Sequence, residues 1–137
     1  MAAQVLYTPA VLAAATGLAA FPWDEGLPRR GEARSRSCGS TLVLGLATNE
    51  AGRITRSGLK PHACAVGQAA AYVFASAAAG RDKAEIAAAR AALAAWLGGD
   101  APMPDWPGIE LLGPARAYPA RHAAILLAWD AALAALS

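Results

Sequence analysis

The chain has two cysteines, Cys38 and Cys64, and they are its best candidates for chemistry. Cys38 stands before Gly39 at the entrance to a strand-like stretch. Cys64 stands at the start of a helical pattern, where free backbone N–H groups and the helix dipole favour an anionic group. One hairpin lies between them. A hairpin returns the chain beside its origin, so the two thiols would meet at one end of a small sheet. Two such thiols suit metal or sulfur chemistry. Free cysteines also serve as small buried hydrophobes, and spacing alone leaves both readings open. No C-x-x-C, H-E-x-x-H, paired-carboxylate or phosphate-loop motif competes, and Ser40 and Ser57 have no His-Asp partners.

The elements that must position these residues follow from periodicity. Thr8 caps a helix over Pro9–Ala20, with proline at its first position. Phe21–Arg30 carries two prolines and a glycine and reads as a loop. From Thr41 to Ala47 the pattern alternates, with Leu42, Leu44 and Leu46 on one apolar face. Asn49–Gly52 is a turn, Arg53–Leu59 returns as a second strand, and Gly31–Arg36 adds a charged edge strand. Ala65–Ala79 is a helix closed by Gly80. Asp82 and Glu85 form a capping box for the next helix, whose stripe is Ile86, Ala89, Leu93 and Trp96 and which ends at Gly98-Gly99. Asp100–Pro107 is a proline-rich loop. Ile109–Ala117 is a short helix broken by Pro114, and Ala120–Leu136 is a last helix, apolar nearly all round. The sum is a single α+β domain over residues 1–137, a small three-stranded antiparallel sheet with about five helices.

Composition bounds the function class. The chain has 137 residues, enough for one real core, and is 56% hydrophobic, much of it alanine. A net charge of +2 is too small to argue for nucleic acid by itself, and no nucleic-acid partner is expected. The uncharged stretches Met1–Trp23 and Pro61–Gly80 lack a basic leader and strong hydrophobicity respectively, so neither a signal peptide nor a membrane span is expected. The reading is a cytoplasmic protein with reduced thiols and no membrane partner. Six arginines, Arg29, Arg30, Arg34, Arg36, Arg53 and Arg56, form a basic band. It is either a solvated face or a docking face for an acidic partner.

Several stretches together resemble the NifU/IscU-type iron–sulfur cluster assembly scaffolds, in the longer sulfur-mobilisation branch. They are LYTPAVL (Leu6–Leu12), GEARSRSCGS (Gly31–Ser40), AGRI (Ala51–Ile54), HACAVGQAAA (His62–Ala71) and YPARHAAILLAWDAAL (Tyr118–Leu133). Order and spacing agree over nearly the whole chain. The resemblance implies a non-enzymatic scaffold that holds a [2Fe–2S] cluster or zinc. Its implied partners are a cysteine desulfurase and other cluster-assembly proteins. Cys38 and Cys64 match two of the family's ligands, and Arg121 matches the basic residue of its last motif. The aspartate expected after the first cysteine is Ser40, and the third cysteine is Ala124. His122, two positions before Ala124, is the candidate replacement ligand, because imidazole suits zinc. His62 is a weaker candidate of the same kind. A cluster normally takes four protein ligands, so a homo-oligomer pooling thiols would restore the count. The other outcome of the lost ligands is a relative that keeps the fold and acts as a metal-free binding module for assembly partners.

Overall fold

Leucines at every second position drive the sheet. Leu42, Leu44 and Leu46 are buried, and they lie on β2 (Thr41–Thr48). The structure, a computed structural model, describes residues 6–36 and 39–137. β2 is the central strand of an antiparallel sheet in the order β1-β2-β3, with β1 over Arg29–Arg34 and β3 over Ile54–His62. The hairpin is closed by Asn49, whose Oδ1 accepts from the backbone N–H of Ala51 and of Arg53, each at 3.0 Å. Gly52 supplies the left-handed residue this turn needs, at φ 77°.

Both flanking strands differ in extent from the sequence reading. β1 begins two residues earlier than expected. β3 continues through Pro61 to His62, with Pro61 opposite Leu42. Proline is tolerated there because β3 is an edge strand, where one N–H is spare.

Four α-helices follow the expected order: α1 (Pro9–Gly17), α2 (Ala65–Ala78), α3 (Lys83–Leu97) and α4 (His122–Leu136). Ile109–Ala117 is a fifth helical body, wound as a 3-10 helix through Pro114, which lacks the N–H that an α-ladder requires. Two short 3-10 turns, Leu18–Ala20 and Pro119–Arg121, replace the expected last turn of α1 and the expected first turn of the final helix. The caps are as read from sequence. Thr8 Oγ1 accepts from Val11 N–H at 3.1 Å, and Asp82 and Glu85 cap each other's backbone N–H groups.

α4 lies across β1 and β2, α2 packs beside it, and α1 and α3 form the outer layer on α2 and α4 respectively. The opposite face of the sheet is covered at one end by the loop before β1, where Leu27 sits against Gly45 and the Pro22 carbonyl against Gly58. Phe74, Trp106 and Trp129 form the aromatic centre of the core, with ring centroids 5.3–5.7 Å apart. Trp106 comes from the proline-rich loop, yet it is buried, and its indole donates to the Val73 carbonyl at 2.9 Å.

The tightest packing is between β1 and α4. A Cβ at Gly31 would stand 1.9 Å from the Ala131 carbonyl oxygen and 2.6 Å from the Ala135 nitrogen. No backbone shift short of separating the helix from the sheet accommodates it. Gly31→Ala is therefore expected to lower stability by about 3 kcal/mol. Gly113→Ala, with nothing within 4 Å of the added carbon, should change it by less than about 0.5 kcal/mol. Urea-denaturation midpoints of the two variants check the contrast.

Candidate functional site

One end of the sheet gathers the chemistry-bearing residues. Three segments converge there: the loop between β1 and β2, the β3–α2 junction, and the 3-10 turn before α4. They enclose an open cleft of about 490 Å³ whose walls include Gly39, Ser40, His62, Cys64, Gln68 and Arg121.

At the first wall, the described residues on either side of positions 37 and 38 are bonded to one another through their backbone. Ser35 N–H donates to the Ser40 carbonyl at 2.8 Å, and Gly39 N–H to the Ser35 carbonyl at 3.1 Å. Gly39 takes φ 71°, which only glycine adopts freely, and Ser35 and Ser40 are buried. Ser37 and Cys38 lie outside the described residues, so the expected meeting of Cys38 with Cys64 does too.

The second wall is built by strand and helix meeting. β3 ends at His62, in register with Thr41 and, across the sheet, Arg34. Cys64 is the N-cap residue of α2, in extended conformation at φ −65°, ψ 169°. Its side chain makes no capping bond, and its thiol is free and half-buried. Its carbonyl accepts from Gln68 N–H at 2.9 Å, and the Gln68 side chain donates to the Ala63 carbonyl at 2.8 Å. Gln68 thereby braces the residue before the thiol. The sequence reading missed it, although its place four residues after Cys64, one helical turn on, was a signal.

Arg121 forms the third wall, half-buried. The neighbouring His122 is turned elsewhere. Its Nε2 lies 3.2 Å from both the Ala115 and Arg116 carbonyls. Carbonyls only accept, so Nε2 carries the proton and Nδ1 is the nitrogen left for a metal. His122 is not among the lining residues of the cleft. Ala124 is buried between α4 and α2, where a Cβ on Gly67 would come within 3.4 Å of its own. Among the described residues no three His, Cys, Asp or Glu side chains cluster as a metal site.

The arginine band is split by the fold. Arg30, Arg53 and Arg56 pair with Glu25, Glu85 and Asp24, and Arg29 donates to Thr48 Oγ1. The Gly26 N–H and the Arg56 guanidinium hold the Asp24 carboxyl below the usual range. Arg34 and Arg36 remain exposed at the cleft's end of β1.

Comparison with known proteins decides the family. A solved nitrogen-fixing NifU-like protein (N-terminal) from Brucella abortus is 30% identical, covers 95% of this chain and 91% of its own, and superimposes with a TM-score of 0.85. The chain belongs to the NifU-like family. Two further structures share the fold. A protein described as an iron–sulfur cluster assembly scaffold for the SUF system, from thermophilic Fervidobacterium islandicum AW-1, has a TM-score of 0.84 at 21% identity, over 99% of this chain and all (100%) of the other. A hypothetical protein has a TM-score of 0.67 at 20% identity, covering 92% and 96%. No family model and no curated protein matches the chain. The NifU-like fold read from sequence, a three-stranded antiparallel sheet packed with helices, is the one observed.

His122 ties the start of α4 to the 3-10 segment. His122→Ala is expected to cost about 1 kcal/mol, the typical net worth of one hydrogen bond. Thermal or urea unfolding measures it.

Proposed function

We propose that this NifU-like protein is a non-enzymatic scaffold or accessory protein of iron–sulfur cluster assembly. Its cargo is a [2Fe–2S] cluster, or zinc, held through Cys38 and Cys64. The observation that carries the reading is the position of Cys64: an uncommitted thiol at the N-cap of α2, in the same cleft as Gly39 and Ser40, the two residues that directly follow Cys38. Thiolates suit both iron–sulfur clusters and zinc. A cysteine desulfurase and other assembly proteins are the partners this implies, in the cytoplasm. Among the described residues no helix is long and apolar enough to cross a membrane.

The described donor set is smaller than a four-coordinate centre needs. Ser40 and Ala124 offer no carboxylate or thiol, and His122, whose Nδ1 is open, is not among the residues lining the cleft. Two thiols supply half of a cluster's ligands, so a second chain or a partner's thiol completes the set. Buried non-ligating side chains at both Ser40 and Ala124 also favour the second reading, a metal-free binding module that retains the fold.

Zinc titration against a chromophoric chelator under reducing conditions separates the two. As a cargo site, Cys38→Ser and Cys64→Ser should each weaken binding more than about 100-fold, beyond the cost of losing a supporting residue. His122→Ala should leave it unchanged, which would remove His122 from the ligand set. A wild-type protein that binds no zinc, alongside a Ser40→Asp/Ala124→Cys variant that does, identifies the metal-free module.

A further inference from the structure

The free edge of β3 is closed on either side of Ser57 by this chain's own main chain. In an antiparallel pair, opposed residues alternate between exchanging both backbone bonds and exchanging neither. Leu59 N–H donates outward, to the Phe21 carbonyl at 3.0 Å, so Leu59 and its partner Leu44 are a pair of the second kind. Ser57 opposite Leu46 and Pro61 opposite Leu42 have the same parity. Pro61 has no N–H to offer. Towards the start of the strand, Ile54 N–H donates to the Arg81 carbonyl at 2.9 Å, and Gly80 N–H returns to the Ile54 carbonyl at 2.8 Å. Ser57 is left between them. Its N–H and carbonyl both turn to the edge, and no described residue bonds to either. The residue is half-buried, so its idle donor and acceptor are only partly hydrated and gain from a partner. It borders a cavity of about 570 Å³ that shares no lining residue with the Cys64 cleft. Phe21, Pro22 and Trp23 form one wall of this cavity, and Ala75 and Ala79 of α2 form another. The charged groups at its rim are already matched, Asp24 with Arg56 and Glu25 with Arg30. What remains on offer is apolar wall and one main-chain donor–acceptor pair.

We infer that this step of β3 is a docking site for a short, extended, apolar peptide segment of a partner protein. One residue of the segment exchanges both backbone hydrogen bonds with Ser57, and an apolar side chain beside it lies in the cavity. Main chain covers the same edge at Leu59 and at Ile54, and the group complementary to the step between them is main chain as well. The two covers also bound the length. Ile54 to Leu59 spans on the order of 17 Å at the usual strand rise, enough for a few residues. A longer strand would have to displace Phe21 or Arg81, so the edge is protected against open-ended sheet pairing while one step stays usable. The site needs neither cysteine, so it stands or fails independently of cargo binding.

The test is a titration of the full-length, isotope-labelled protein with the methyl ester of acetyl-Ala-Leu-Ala, followed by amide NMR shifts. The Ser57 amide proton should move downfield and saturate, as a newly formed hydrogen bond requires. The same peptide N-methylated at every residue has lost its donors to the Ser57 carbonyl. It should bind at least about fivefold more weakly, the typical worth of one hydrogen bond. Ser57→Pro removes the protein's own donor at an edge position whose N–H serves no ladder bond, where proline is tolerated. It should weaken the unmethylated peptide by a similar factor while the remaining amide spectrum stays that of the folded protein. If that variant does not fold, the comparison of the two peptides on the wild-type protein decides alone. Adding an alanine at each end of the tripeptide should gain little, because both sides of the step are closed. A Ser57 amide that does not shift, shifts confined to the Cys64 cleft, or equal binding of the two peptides overturns the inference. A steep gain with length overturns it as well, because the Phe21 and Arg81 covers would then be peeling away to let a full strand pair.

Discussion

The closeness of α4 to the sheet is the constraint on which the remaining structure depends. Gly31 presents no Cβ, and opposite it α4 presents the backbone of Ala131 and Ala135. The helix axis therefore sits nearer to β1 than bulkier residues would allow. The same device recurs at the other end of α4, where Gly67 on α2 faces Ala124. Small residues at both contacts fix α4 against two partners at once. With α4 held, the Phe74–Trp106–Trp129 cluster fills the wider space between the helices. Alanine thus spaces the elements, and a few aromatics supply most of the bulk.

That arrangement explains how the site is presented. Ser35 is bonded through its backbone to Gly39 and Ser40, the sheet register fixes His62, and Gln68 braces the residue beside Cys64. The half-buried thiol thus sits among fixed neighbours. The chain belongs among NifU-like proteins.

Much of the fold was legible because local rules and tertiary packing agree here. The alternation Leu42, Leu44, Leu46 marked the central strand, Thr8 and Asp82 marked helix starts, and Gly80 marked a helix end. The boundaries that slipped did so for identifiable reasons. Pro61 reads as a strand stop, but an edge strand accepts it. Trp106 reads as part of a loop, and the loop is indeed irregular, yet the indole is drawn into the core because its N–H reaches the Val73 carbonyl. At the site, the place of Cys64 at a helix start was legible. The orientation of His122 was not. A residue's face on a helix depends on where the helix begins, and Pro119–Arg121 winds as a separate 3-10 turn before α4. Arg121, the preceding residue, takes the cleft instead.

The alanine contact between α4 and β1 has a mechanical consequence. Alanine has no rotamers, so nothing at that contact can swing aside to absorb a displacement. α4 must move as a rod or not at all. Ala131 and Ala124 are its two bearings, one on β1 and one on α2, and Arg121 stands just before the rod's first turn. The charge at the mouth of the cleft is thus aimed by bearings that contain no functional group of their own.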